Sequence, residues 1–116
     1  MKKIVVALFA LMFPALAVAQ TAPFTKTSRN VSSTIAVTNT FQSVLSETRG
    51  RASCMVQNNG SNSMYVYFGA IASATLANSV KLAAGQAVSC TAGGVVLTDQ
   101  VSITGTSADA YYAAEQ

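Results

Sequence analysis

Between residues 51 and 69 the chain reads R-A-S-C-M-V-Q-N-N-G-S-N-S-M-Y-V-Y-F-G, two arms of alternating apolar and polar positions around a polar cluster. Met64, Val66 and Phe68 alternate with Tyr65 and Tyr67 on one arm. Ala52, Cys54 and Val56 alternate with Ser53, Met55 and Gln57 on the other. A period of two sends successive side chains to opposite faces of a strand. Asn and Gly tolerate the positive φ of tight connections, so the stretch predicts two strands joined as a hairpin.

The same rhythm runs through the rest of the chain. S-T-I-A-V-T at 33–38 and F-Q-S-V-L-S at 41–46 are rich in β-branched and apolar residues and predict two strands, or one strand interrupted by a bulge. Residues 47–50 form a polar turn. The Ala-rich run 70–78 is too short to stand as a helix and shows no caps, so it predicts a loop with at most one helical turn. Strands are expected at 79–83 and 87–90, about the turn Ala84-Gly85-Gln86. Further strands are expected at 95–97, at 101–104 and, last, at 108–114 with Tyr111 and Tyr112. Seven or eight short strands with frequent turns and no sustained helical period predict an all-β fold, a single antiparallel β-sandwich or small barrel.

The N-terminus changes the picture of charge. Met1-Lys2-Lys3, an apolar run to Val18 and the small-residue pattern Ala17-Val18-Ala19 match a secretory signal peptide over 1–19. The apolar run contains Pro14 and falls short of the roughly 20 residues a membrane span needs. A periplasmic or extracellular protein is expected, with a mobile arm over 20–30, containing Pro23 and Phe24, and a β domain over 31–116. Without Lys2 and Lys3, five basic residues face four acidic ones, so the mature chain carries a net charge near +1. Nucleic-acid binding needs clustered Lys and Arg, and only Arg49 and Arg51 lie close together, in what reads as a solvated turn. A chain this poor in charge, with Lys81 as the sole lysine in an expected strand, predicts burial of an edge or face against a second subunit in a dimer or trimer, or against a larger protein shell.

Enzymatic chemistry has little to draw on. There is no His, the carboxylates are only Glu47, Asp99, Asp109 and Glu115, and no phosphate-cradling glycine motif or G-x-S-x-G elbow occurs. Asp99 and Asp109 fall in expected turns, where Asp caps backbone groups. No catalytic residue, cofactor or metal site is expected. Cys54 and Cys90 are either one disulfide, as an exported protein favours, or two buried thiols acting as small hydrophobes. Tyr65 and Tyr67 share the face opposite Met64, Val66 and Phe68, while Tyr111 and Tyr112 are adjacent and point opposite ways. These four tyrosines are the candidate contact residues, for a subunit interface or for stacking on a carbohydrate.

The segments R-A-S-C-M-V-Q-N-N-G-S-N-S-M-Y-V-Y-F-G, S-V-K-L-A-A-G-Q and V-S-I-T-G-T-S-A-D-A-Y-Y-A-A-E-Q resemble small β-sandwich proteins of phage and prophage structural genes. The likeness lies in a strand ending Q-N-x-G, a Y-V-x-F-G strand, an L-x-x-G turn and a final I-x-G-T segment, and spans roughly 51–116. It implies a non-enzymatic structural protein of a virion surface, a capsid decoration or tail-associated protein. The alternative is an exported module that binds a carbohydrate or cell surface through Tyr65 and Tyr67.

Overall fold

The computed structural model describes residues 27–116. The signal peptide at 1–19, and residues 20–26 of the expected arm with Pro23 and Phe24, lie outside the described residues. The fold is all-β and antiparallel. Its strands are β1 (Arg29–Asn30), β2 (Ser33–Thr34), β3 (Gln42–Leu45), β4 (Cys54–Asn58), β5 (Met64–Phe68), β6 (Val80–Leu82), β7 (Ala87–Ser89), β8 (Thr91–Ala92), β9 (Val95–Val96), β10 (Val101–Thr104) and β11 (Ala110–Glu115). Among the described residues no helix is long and apolar enough to cross a membrane.

Sheet A has the order β1-β11-β4-β7, with β2 also on β11; sheet B has the order β3-β10-β5-β6; and β8 and β9 form a small ribbon. The two orders correspond strand for strand. β2 and β3, β11 and β10, β4 and β5, and β7 and β6 are each consecutive in the chain, yet each couple has one member in either sheet. The stretch 51–69 is therefore an arch and not the expected hairpin. Its arms are not hydrogen-bonded to each other: β4 pairs with β11 and β7, and β5 with β10 and β6. The physical reason is that alternation determines which side chains turn inward, and both arms do bury one set, Cys54 and Val56 on β4, Met64 and Val66 on β5. It is silent on whether those sets lie side by side or face to face.

Sheet A supplies Cys54, Val56, Tyr111 and Ala113, and sheet B Leu45, Met64, Val66, Leu82, Val101 and Ile103, to one core cluster that Ile35 joins from the segment after β2. Other boundaries also move. Arg29–Asn30, assigned above to the mobile arm, is a strand on β11. Residues 70–78 hold two 3₁₀ turns, Ile71–Ser73 and Leu76–Asn78, the second capped reciprocally by Thr75 and Asn78. That cap was missed because Asn replaces the usual Glu or Gln of a capping box.

Crossing between sheets leaves backbone groups that no ladder can satisfy, and buried ones must find partners. At one end Asn58 does this. Its side chain is fully buried; Nδ2 donates to the carbonyls of Asn62 (2.7 Å) and Leu82 (3.1 Å), and Oδ1 accepts from Gly60 N–H (2.9 Å). Its backbone meets the β6–β7 crossing through Gln86 O and Gly85 N–H, where Gly85 takes a φ of 79°. Gly60 beside it leaves room for Asp109, whose Cβ lies 2.5 Å from where a side chain at 60 would begin, and whose carboxylate accepts from Asn62.

At the other end sits Arg51, which is buried and not the solvated turn residue expected with Arg49. Its Nε donates to Glu115 Oε2 at 2.9 Å, one terminal nitrogen to Leu97 O and Asp99 O, and the other to Ser46 O at 2.7 Å. A planar guanidinium carries five donors in a fixed fork, so one side chain ties the β3–β4 crossing, the approach to β10 and the end of β11 together.

Both residues should be expensive to remove. Asn58→Ala orphans one donor and two acceptors and is expected to lower the unfolding free energy by about 2–4 kcal/mol. Arg51→Ala leaves Glu115 with only the exposed Arg29, removes the guanidinium donor from the Leu97 and Asp99 carbonyls and leaves Ser46 O to Thr48 alone, and is expected to cost about 3–5 kcal/mol. Urea unfolding followed by circular dichroism measures both; a loss below about 1 kcal/mol for either would mean that the crossings are held by something else.

Candidate functional site

Charged groups already engaged in the fold cannot serve a ligand. Glu115 is taken by Arg51 and, at 3.3 Å, by the exposed Arg29. Asp109 caps the β4–β5 crossing through Asn62. Glu47, Arg49, Lys81 and Asp99 are exposed, and Asp109 sits at the opposite end of β4 from Glu115. The four carboxylates thus do not converge on a shared groove.

The four tyrosines do not form one platform either. Tyr111 points into the core and is 6% exposed, so it leaves the list of contact residues. Tyr112, its neighbour, faces out from sheet A, half-buried. Tyr65 and Tyr67 lie on the outer face of sheet B, opposite Thr104 and Ser102 in register, with Lys81 across from Tyr65 on β6. The Tyr67 ring leans along its own strand toward Gly69, which its hydroxyl approaches at 2.9 Å from the ideal Cβ position. Ser102 and Thr104 are fully buried and their hydroxyls have no hydrogen-bond partner.

The outer face of sheet A is the more unusual surface. Register places Met55 opposite Ala114 and Ser89, and Gln57 opposite Tyr112 and Ala87, a three-strand grid without a charged residue. Met55 is 40% exposed, and Ala87 and Ser89 are exposed. At one end of this grid a shallow cleft of about 240 Å³ opens between Ser28, Ser53, Met55, Tyr112 and Gln116. The carboxylate on its wall is Glu115, already bound by two arginines, so the cleft offers contour rather than a charged anchor. Sequence reasoning named Tyr112 but missed Met55. The signal was present: Met55 alternates out of phase with Cys54 and Val56, so burying those two exposes it.

Beneath the grid, Cys54 and Cys90 form a disulfide between neighbouring strands, with Cα atoms 5.2 Å apart, well inside the reach of such a bridge. Both cysteines are buried, and Cys90 N–H also donates to Cys54 O at 3.0 Å. The bridge anchors the outermost strand of sheet A to β4.

Comparisons with protein-family models, with curated proteins and with solved structures find no match to this chain. The likeness to phage structural proteins accordingly rests on the strand and turn motifs quoted above.

Two thiols per chain should stay unlabelled in denaturant without reductant. Reduction should then lower stability by about 4 kcal/mol, from the entropy of a loop of about 37 residues. Recovery of two labelled thiols from oxidised protein would refute the bridge.

Proposed function

We propose that this protein is a non-enzymatic structural and interaction protein, an exported β module of phage descent that docks on a larger protein shell as a virion-surface component. The observation that carries this reading is the charge-free grid on sheet A. Removing charge from water without pairing is costly, so protein interfaces are depleted of charged residues at their centres and enriched in Tyr and Met. Met55, Tyr112, Ala114, Ala87, Ser89 and Gln57 meet that description across three adjacent strands. Among the described residues the few charges are either tied into the fold, as Arg51, Glu115 and Asp109 are, or lie off the grid. Docking is the role that a neutral, disulfide-anchored sheet face fits.

A second reading draws on Tyr65 and Tyr67. Two half-buried rings on one strand, with Lys81 beside them, suit stacking on a sugar.

Co-sedimentation with shells assembled from the capsid or tail proteins encoded by neighbouring genes tests the proposal. Met55→Lys with Tyr112→Lys is expected to weaken co-sedimentation about tenfold or more, while Tyr65→Ser with Tyr67→Ser leaves it unchanged. Polysaccharide binding that is lost with Tyr65→Ser plus Tyr67→Ser, with no shell binding by the wild type, would replace docking by the second reading.

A further inference from the structure

Each sheet ends in two edges, and an edge presents unpaired N–H and C=O groups that invite another strand. Three of the four are guarded. On sheet A, β1 and β2 are two-residue strands with an interruption between them, and Arg29 stands on the first. On sheet B, β3 carries a bulge where its register with β10 shifts, and β6 carries Lys81. The remaining edge, β7, reads Ala-Val-Ser, with no charge, proline or bulge.

Which groups β7 leaves free follows from its pairing. Cys90 N–H donates to Cys54 O and Asn58 N–H to Gln86 O, so the hydrogen-bonded partners along β4 and β7 are 54 with 90, 56 with 88 and 58 with 86. Ala87 and Ser89 fall between these and turn their N–H and C=O groups away from β4. Two donors and two acceptors therefore line the outer edge, symmetric about Val88.

We infer that β7 is the seam of a two-fold homodimer, in which two copies of the chain pair antiparallel through β7 and join their A sheets into one. Ala87 of each copy stands opposite Ser89 of the other, with the axis at Val88, and four backbone hydrogen bonds close the pair. A second copy fits better than a foreign strand because the donor and acceptor pattern is self-complementary. No like charges meet across the axis, since neither β7 nor the β4 residues beside it on the outer face, Met55 and Gln57, are charged. Pairing also makes the two charge-free grids continuous across the seam. The association closes at two chains because the other edges of sheets A and B are guarded and a two-fold seam uses the same strand on both sides. This inference deepens the assembly role proposed above and rests on it for its purpose, but the measurement that tests it is separate.

Light scattering on the mature chain during size exclusion is expected to give the mass of two chains at about 100 µM and a shift toward one chain on dilution, by mass action. Ser89→Pro removes an N–H that bonds nothing among the described residues, at a position preceded by extended Val88, and Ser89→Lys adds an edge charge. Each should give one chain at every concentration with the thermal melt of a folded monomer, while shell co-sedimentation still depends on Met55 and Tyr112. Should Ser89→Pro fail to fold, Ser89→Lys decides. A wild type of one chain throughout, a trimer, or a dimer that survives both substitutions would overturn the seam, and shell docking would stand or fall on its own test.

Discussion

A fully buried carboxamide, that of Asn58, holds two of the corners where the chain passes between the sheets, β4–β5 and β6–β7, and the paired sheets depend on it. An arch differs from a hairpin in that its flanking strands give each other no ladder, so the corner must be secured by something other than turn geometry. Asn58 bonds to the β4–β5 corner with its side chain and reaches the β6–β7 corner with both its side chain and its backbone. Arg51 does the equivalent work at the far end of β4, with Glu115 as its counter-charge. Apolar area drives the two sheets together. The polar residues at the ends decide which strands lie opposite each other.

This division explains what could be read in advance. The inward positions Cys54, Val56, Met64, Val66 and Val101 follow from alternation alone, and so does the opposite sense of Tyr111 and Tyr112. Strand partnership was not legible, because the polar cluster at 58–63 has the composition of a hairpin loop whether its arms close side by side or face to face. Arg51 was equally opaque. A charged residue beside Gly50 in a polar stretch reads as solvated, and its burial depends on Ser46, Leu97, Asp99 and Glu115, which lie up to 64 residues away in the chain. The candidate surface was half visible: Tyr112 stood out as an aromatic residue, whereas the lack of charge around it becomes a property of one surface only when register sets three strands side by side.

The charge economy and the fold are linked. With so few ionisable side chains, using Arg51, Glu115 and Asp109 as structural ties leaves long stretches of both outer faces neutral. The two faces are nonetheless unlike. Sheet B carries two tyrosines beside a lysine, over Ser102 and Thr104 whose hydroxyls lack partners. Sheet A carries small residues, Ala87, Ser89 and Ala114, around Met55 and Tyr112. Its outer strand is tied down by a disulfide just beyond β7, so an edge free to meet another chain is fixed in place.

β11 lies inside sheet A, between the first strands described and β4, yet among the described strands it comes last in chain order. Until residue 115 has been synthesised, β1 and β2 have no partner, β4 is open along one side, and Arg51 has no counter-charge. Sheet A therefore cannot close before β11 is made, because the pairings that complete it link strands far apart in the chain and are slow to find. What can form earlier is the β4–β7 pair that Cys54 and Cys90 bridge, so the covalently tied margin of sheet A precedes the strand that completes its middle.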